Sequence, residues 1–299
     1  MRLFYSDHYA IPLPAGHKFP AAKYGLLRQA LEADGFYCFA PAPLADAATI
    51  ERAHDPAYVR AVMEGTLDAR AMRRIGFPWS PELVRRSLAS VGGTLAATAD
   101  ALEGGFGGNL AGGTHHAFYG EGSGFCVFND LAVAIRWCGR RAAVIDLDVH
   151  QGDGTASIFA EEKHVLTVSL HGENNFPFRK QRSGVDIALA DGAGDAEYLD
   201  RLEGALRAVA DFGPEIVFYQ SGVDGLAGDR LGRLALSREG LIERDRKVFE
   251  FARRRGLPVV VTLGGGYAEP IGRTVDAHAN TFRSAAAVLQ PAEPVTRPI

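Results

Sequence analysis

Residues 142–154 read Ala-Ala-Val-Ile-Asp-Leu-Asp-Val-His-Gln-Gly-Asp-Gly, and no other segment constrains the chain as much. The segment opens as a continuous apolar, β-branched run, the pattern of a strand buried on both faces. It then sets Asp146, Asp148, His150 and Asp153 within eight residues and breaks at Gly152 and Gly154. A buried strand tolerates that many ionisable groups only if they are paired or hold a cation. In open parallel α/β sheets ligands sit outside the carboxyl ends of the strands, which is where these groups fall. Asp148 and His150 are two apart, so on an extended strand both point to one face. An oxygen and an imidazole there make a pair of ligands for a zinc-like cation, with Asp146 one step deeper.

The remaining chain supplies the scaffold for such a strand. Arg2 to Tyr5 is expected as the first strand, and a helix is expected from Ala21 to Ala33, stopped by Asp34-Gly35. Asp55-Pro56 starts a helix reaching about Glu64, which makes the neighbouring His54 part of local structure. Ser80-Pro81 caps another, with its apolar stripe at Leu83, Val84, Leu88, Val91 and Leu95. Beyond residue 154 the pattern alternates: strands at Val165–Leu170, Glu215–Gln220 and Leu257–Leu263, helices at Ala196–Val209, Leu241–Arg253 and after Pro270. This predicts an α/β fold of three αβα layers around a central, mostly parallel sheet. No repeat or linker divides residues 1–299, so one domain is expected, with a loose tail over 291–299.

Composition narrows the partners. With 32 basic against 36 acidic residues, no global positive field draws nucleic acid to this chain. Three widely spaced cysteines build neither a disulfide framework nor a cysteine-rich zinc site. The N-terminus lacks the apolar core of a signal peptide, and no run suits a membrane span. A cytoplasmic protein with no membrane partner is expected. Residues 104–113 are glycine-rich but carry neither GxGxxG nor GxxxxGK[ST], so they are read as backbone that approaches something buried.

Other unusual groups stand at strand ends. Thr114-His115-His116 follows the glycine-rich stretch, and adjacent histidines on a turn can act as a general acid/base pair or as metal ligands. Asp224, between glycines after an apolar strand, suits a third ligand beside Asp148 and His150. Two carboxylates and one imidazole leave a fourth tetrahedral position for water, as in catalytic zinc sites. Tyr267 follows three glycines and can donate to a developing oxyanion. Asp146 and Asp153 are the carboxylates available to orient the histidines.

At this point the chain resembles the zinc-dependent histone deacetylase superfamily, which includes acetylpolyamine amidohydrolases. The matching segments are Gly-Gly-Thr-His-His at 112–116, Gly-Phe-Cys-Val-Phe-Asn-Asp at 124–130, Asp-Leu-Asp-Val-His-Gln-Gly-Asp-Gly at 146–154, Val-Ser-Leu-His at 168–171 and Gly-Gly-Gly-Tyr at 264–267. Within it the chain is most similar to class IV deacetylases, through Asp224 in Gly-Val-Asp-Gly-Leu-Ala-Gly-Asp-Arg-Leu-Gly and through Arg74 to Ser80. The resemblance implies one zinc ion on Asp148, His150 and Asp224. It places His116 as general base paired with Asp153, His115 as its partner paired with Asp146, and Tyr267 at the oxyanion. It implies an acyl-lysine tunnel at Gly124, Phe125 and Gly266, with Phe176 or Phe178 on another wall. A structural potassium ion is implied at Asp146, Asp148, His150, Ser169 and Leu170. The implied reaction is metal-assisted hydrolysis of an acylated lysine in a protein or peptide, or of another acylated amine.

Three alternatives bear on this reading. Arginases share the fold, but a second metal would need acids where this chain has Gly152 and Leu226. A silent acyl-lysine binder would not need every catalytic position intact. An acetylpolyamine amidohydrolase would need acids at the rim, for which Glu121 and Glu173 are the candidates.

Overall fold

Each apolar run expected as a strand becomes one, and all of them lie parallel in one sheet. The computed structural model describes residues 1–290, so the tail at 291–299 lies outside the described residues. In chain order the first half runs β1 (Arg2–Tyr5), α1 (Ala22–Glu32), β2 (Cys38–Pro41), α2 (Ala47–Ile50), α3 (Pro56–Glu64), α4 (Ala69–Ile75), α5 (Pro81–Gly104), β3 (Phe106–Asn109) and α6 (Asp130–Cys138). The second half runs β4 (Ala142–Asp146), α7 (Asp153–Ile158), β5 (Val165–Gly172), β6 (Val185–Leu189), α8 (Asp195–Phe212), β7 (Ile216–Gln220), α9 (Arg238–Arg255), β8 (Val259–Thr262) and α10 (Gly272–Leu289). The eight strands are ordered β2-β1-β3-β8-β7-β4-β5-β6, and every pairing is parallel.

Strand side chains alternate between two cores, as a pleat of period two requires. Ala143, Ile145, Val217, Tyr219, Val259 and Val261 face the core with α1, α8, α9 and α10. Ala142, Val144, Ile216, Phe218 and Val260 face the core with α3, α5 and α6. This sandwich of helices, sheet and helices is the expected three-layer α/β architecture.

The helix starts follow their caps. Asp55 accepts from Ala57 N ahead of Pro56, and Ser80 Oγ accepts from Leu83 N at 3.0 Å. His54 is fully buried; its Nε2 accepts from Asn129 N at 2.8 Å.

Strands β2, β3 and β6 have no counterpart in the sequence expectation. Strand β3 is half glycine, which local propensity scores against a strand. It forms by pairing with β1 and β8, and glycine is required at 107 because a Cβ there would overlap the Ala97 carbonyl of α5. The helix therefore lies directly on the strand backbone, the close approach that the glycine-rich stretch signals.

Candidate active site

Strands β3, β8, β7 and β4 are adjacent in the sheet, and the loops leaving their carboxyl ends meet at one edge. They bring together residues far apart in sequence. Asp148 Oδ1 lies 2.9 Å from His150 Nδ1, and Asp224 Oδ2 lies 3.0 Å from the same nitrogen. One ligand atom from each of the three residues falls within 4.8 Å of the others, and all three residues are buried.

The route to that geometry differs from the extended strand the sequence suggests. Strand β4 ends at Asp146, and residues 147–150 turn away. Asp148 causes the turn: its Oδ1 accepts from His150 N at 2.9 Å, a local side-chain bond that competes with the strand ladder. Its Oδ2 accepts from Gly265 N at 2.6 Å, and Asp224 Oδ1 accepts from Val149 N at 2.9 Å. Asp224 Oδ2 is enclosed, near enough to His150 for ion pairing but off the line of a hydrogen bond, and it has no other partner. A buried carboxylate oxygen without a hydrogen-bond donor calls for a cation. The two carboxylates and one imidazole around it fit a zinc-like ion.

Electrostatics agree with that demand. Burial opposes a charged imidazole, but Asp224 and Asp148 outweigh it and hold His150 at about 10. Burial raises Asp224 to about 7, with the Asp148 charge adding to it.

The histidine pair is carried by the turn after β3. Gly112 and Gly113 both have left-handed φ, 74° and 71°, as the turn requires. Asp130, at the first turn of α6, clamps it by accepting from Gly113 N (3.1 Å), Thr114 N (2.8 Å) and Thr114 Oγ1. His115 Nδ1 then lies 2.7 Å from Asp146 Oδ2, and His116 Nδ1 lies 2.6 Å from Asp153 Oδ1. The two rings are 4.1 Å apart between centroids, yet their charge states separate. Burial works against a charged His115, but Asp146 and Asp148 hold it at about 9. Burial and the adjacent His115 charge lower His116 to about 4, against the pull of Asp153. The surroundings thus favour a proton on His115 and a neutral His116.

These groups form the floor of a cavity of about 810 Å³. Tyr267 enters it from the β8 loop, its ring centroid 6.5 Å from His150. Burial, with Asp224 and Asp148 near, pushes its phenol well above its ordinary value, so it remains a donor. Phe125, at φ 66° the only described non-glycine residue with positive φ, packs on Phe77 and Phe19 with centroids at 5.3 and 5.5 Å. Gly124 leaves the space beside His116 and Phe176 open, and a Cβ there would press on both rings. Phe176 stands edge-on to His116 at 4.9 Å, whereas Phe178 is 85% exposed at the mouth.

Of the five expected tunnel positions, Gly266 is not among the residues that line this cavity: a Cβ added there would point at Thr274, Val223 and His278, while its neighbours Gly265 and Tyr267 line the cavity. The φ of 155° at Gly266 turns the chain between those two neighbours, and strand-like alternation does not anticipate that turn. The five positions expected for potassium lie on β4, β5 and the 147–150 turn, with Asp146 and Ser169 register partners.

Several contributors escape the sequence reading. Gln220 donates from its amide to Gly113 O and Asp148 Oδ2, both at 3.3 Å, and accepts from Gly222 N at 3.0 Å. Its only signal is a polar residue ending an apolar strand. Lys23 is 2% exposed and donates to Gly264 O at 2.8 Å, and Asp229 accepts from Tyr267 N at 2.6 Å. Nothing in the local pattern marks either as buried.

Comparison with known proteins follows the same lines. The family model for the histone deacetylase domain matches residues 17–282. An uncharacterised protein of Picosynechococcus is 45% identical, the match covering 94% of this chain and 97% of that one. Histone deacetylase 2 of Arabidopsis thaliana is 31% identical over 91% of this chain and 76% of its own length. Among solved structures, an acetylpolyamine aminohydrolase from Burkholderia pseudomallei superposes with a TM-score of 0.79 at 21% identity, covering 96% of this chain and 99% of that one. The HD domain of HDA15 gives the same TM-score at 22% identity, over 97% and 90%.

Proposed function

The chain belongs to the histone deacetylase family, and from that premise we propose that it is a zinc-dependent, class IV-like hydrolase of acyl-lysine amides. The observation that carries the reading is the convergence of Asp148, His150 and Asp224 beside the His115–Asp146 and His116–Asp153 pairs, beneath an aromatic-walled cavity.

One zinc per chain on Asp148, His150 and Asp224 would supply Lewis acidity and a more acidic water. The chain's own residues supply the rest. His116, with Nδ1 committed to Asp153, leaves Nε2 free to take a proton from the attacking water. Tyr267 donates its phenolic proton in a hydrogen bond to the carbonyl oxygen as that oxygen gains charge. His115, held as a cation by Asp146, adds positive charge beside the base. Phe125 and Phe176 exclude water and grip the methylenes of a lysine. A potassium ion at Asp146, Asp148, His150, Ser169 and Leu170 completes the reading; the register of Asp146 with Ser169 supports it.

The rim favours acyl-lysine over acetylated polyamines. Arg74, Arg230 and Arg233 line the mouth, and Glu121, the acid considered for a polyamine, is ion-paired with Arg74. Arg230 and Arg233 take up Glu269 and Asp191 in the same way. Of the two acids considered for a polyamine, only Glu173 is exposed without an ion pair among the described residues, so a polycation would meet three arginines and one free acid. Tyr24 and Leu83 also line the cavity of about 810 Å³, and a space of that size leaves room for acyl chains longer than acetyl.

The test compares specificity constants for acetyl-lysine peptides, longer acyl-lysine peptides and acetylated putrescine or spermidine, with bound metal measured on the same preparation. Acyl-lysine peptides are expected to win, with loss of activity on chelation. An acetylpolyamine ahead by more than about tenfold, roughly 1.4 kcal/mol of transition-state binding, would reverse the substrate assignment.

A further inference from the structure

Tyr267 carries the chemistry expected of an oxyanion donor, yet it hangs from a run of three glycines that offers no side chain to anchor it. Gly266, at φ 155°, is a pivot immediately before it. What fixes the tyrosine backbone on that side is a carboxylate from another loop. Asp229, 9% exposed, accepts from Tyr267 N through Oδ2 at 2.6 Å. Its Oδ1 accepts from Leu231 N at 2.9 Å and Gly232 N at 3.0 Å. All three donors are main-chain N–H groups, so the bonds set backbone position.

The turn held by Oδ1 is part of the site. Leu231, Gly232 and Tyr267 all line the cavity. Gly232 lies so close on the Asp224 carbonyl that a Cβ would overlap it, which ties the turn to the residue carrying the third ligand. Two outer links join the same loops: the Arg230–Glu269 ion pair, and Arg273 Nη2 donating to Ala227 O at 2.6 Å. Both are exposed, so salt and water weaken them. Asp229 is the buried side-chain link, and the other buried bond between these loops, Val223 N donating to Gly265 O at 2.9 Å, falls on the far side of the Gly266 pivot from the tyrosine.

We propose that Asp229 is a positioning residue for the hydrolysis: its single carboxylate locks the Tyr267 backbone to the Leu231–Gly232 wall, so that the placement of the phenol depends on that wall. This rests on the reading of Tyr267 as oxyanion donor. A displacement of about 1 Å at a reacting group costs on the order of a hundredfold in rate. Asp229→Asn keeps the size and one acceptor oxygen but sets an amide against one of the N–H donors. It is expected to lower kcat roughly tenfold to a hundredfold, with KM changed less than threefold and bound zinc unchanged.

A structural role alone would cost the same in any background, whereas a residue acting through the phenol has nothing left to position once the hydroxyl is gone. The decisive experiment is therefore the double-mutant cycle of Asp229→Asn with Tyr267→Phe. The double variant is expected to match Tyr267→Phe within about threefold. Equal fold losses in both backgrounds, or a native kcat in Asp229→Asn alone, would overturn the proposal. Should Asp229→Asn fail to fold, Asp229→Glu keeps the charge but moves the acceptor, and the same non-additivity is expected of it. A second readout needs no turnover: in protein labelled with 3-fluorotyrosine, the ¹⁹F resonance that Tyr267→Phe removes should shift in the Asp229 variant. If the native chain hydrolyses no acylated amine, the functional reading fails. An unmoved resonance instead sinks the positioning role.

Discussion

A methyl group at Gly265 should weaken the metal site without disturbing the fold. Gly265 has no positive φ, so alanine is free of backbone strain there. The whole cost is steric. An added Cβ would overlap Asp224 Oδ2 and lie 2.9 Å from Asp148 Oδ2, oxygens of two of the three expected ligand residues. Neither carboxylate can retreat easily, because Asp224 is held by Val149 N and Asp148 by Gly265 N itself. Overpacking of this kind costs about 1–3 kcal/mol, and here it falls on the metal-binding geometry. At 1.4 kcal/mol per factor of ten, zinc affinity should fall by about tenfold to a hundredfold. The assay is competition for zinc against a fluorescent chelator, with turnover of an acetyl-lysine peptide measured alongside. Gly225→Ala is the control: it adjoins Asp224 in sequence, but its methyl would meet only the flexible ends of Leu236, at 3.2 Å, and Leu234, at 3.9 Å. That variant should keep zinc within a factor of two or so. Native zinc affinity and native turnover in Gly265→Ala would refute the reasoning, since the methyl cannot fit with both carboxylates in place.

Three further outcomes are expected. Tyr267→Phe should lose about a hundredfold to a thousandfold in kcat while retaining zinc and a hydroxamate inhibitor; near-native turnover would remove the phenol from the mechanism. His116→Ala should be almost inactive across the pH range, whereas His115→Ala should keep more activity because its charge, not its basicity, is used; equal mild losses would show that neither is the base. For stability, burial lowers His54 to about 4 from an unfolded value near 6.5, so the unfolded chain binds the extra proton. The stabilisation from a neutral His54 is present above pH 6.5 and is lost as pH falls toward 4, by about 3 kcal/mol at most. His54→Gln should flatten that slope in urea titrations at pH 7.5 and 4.5, and an unchanged slope would exclude His54 as its source.

The sequence by itself determined the apolar strands β1, β4, β5, β7 and β8 and the chemistry of the groups at their ends. Continuous β-branched runs such as Ala142–Ile145 and Ile216–Tyr219 can be stable only when buried on both faces, and that demand is local. The abrupt appearance of Asp148, His150, Asp224 and Tyr267 after such runs is equally local, because ionisable groups at a buried edge need a partner or a cation. Only the tertiary structure decided how those groups meet. It bends residues 147–150 out of the strand, since Asp148 bonds to its own loop and to Gly265 N, 117 residues away. It makes a strand of glycine-rich 106–109 by pairing it with β1 and β8, and it lays α5 so close that a Cβ at Gly107 would collide. It puts Gly265 rather than Gly266 in the cavity lining, leaves Phe178 in solvent and sets Asp229 beneath Tyr267. Periodicity reports which face of a segment is buried, but not which distant backbone N–H or carbonyl waits there. At this site the distant main chain does most of the holding, and a main-chain group leaves no mark on the sequence.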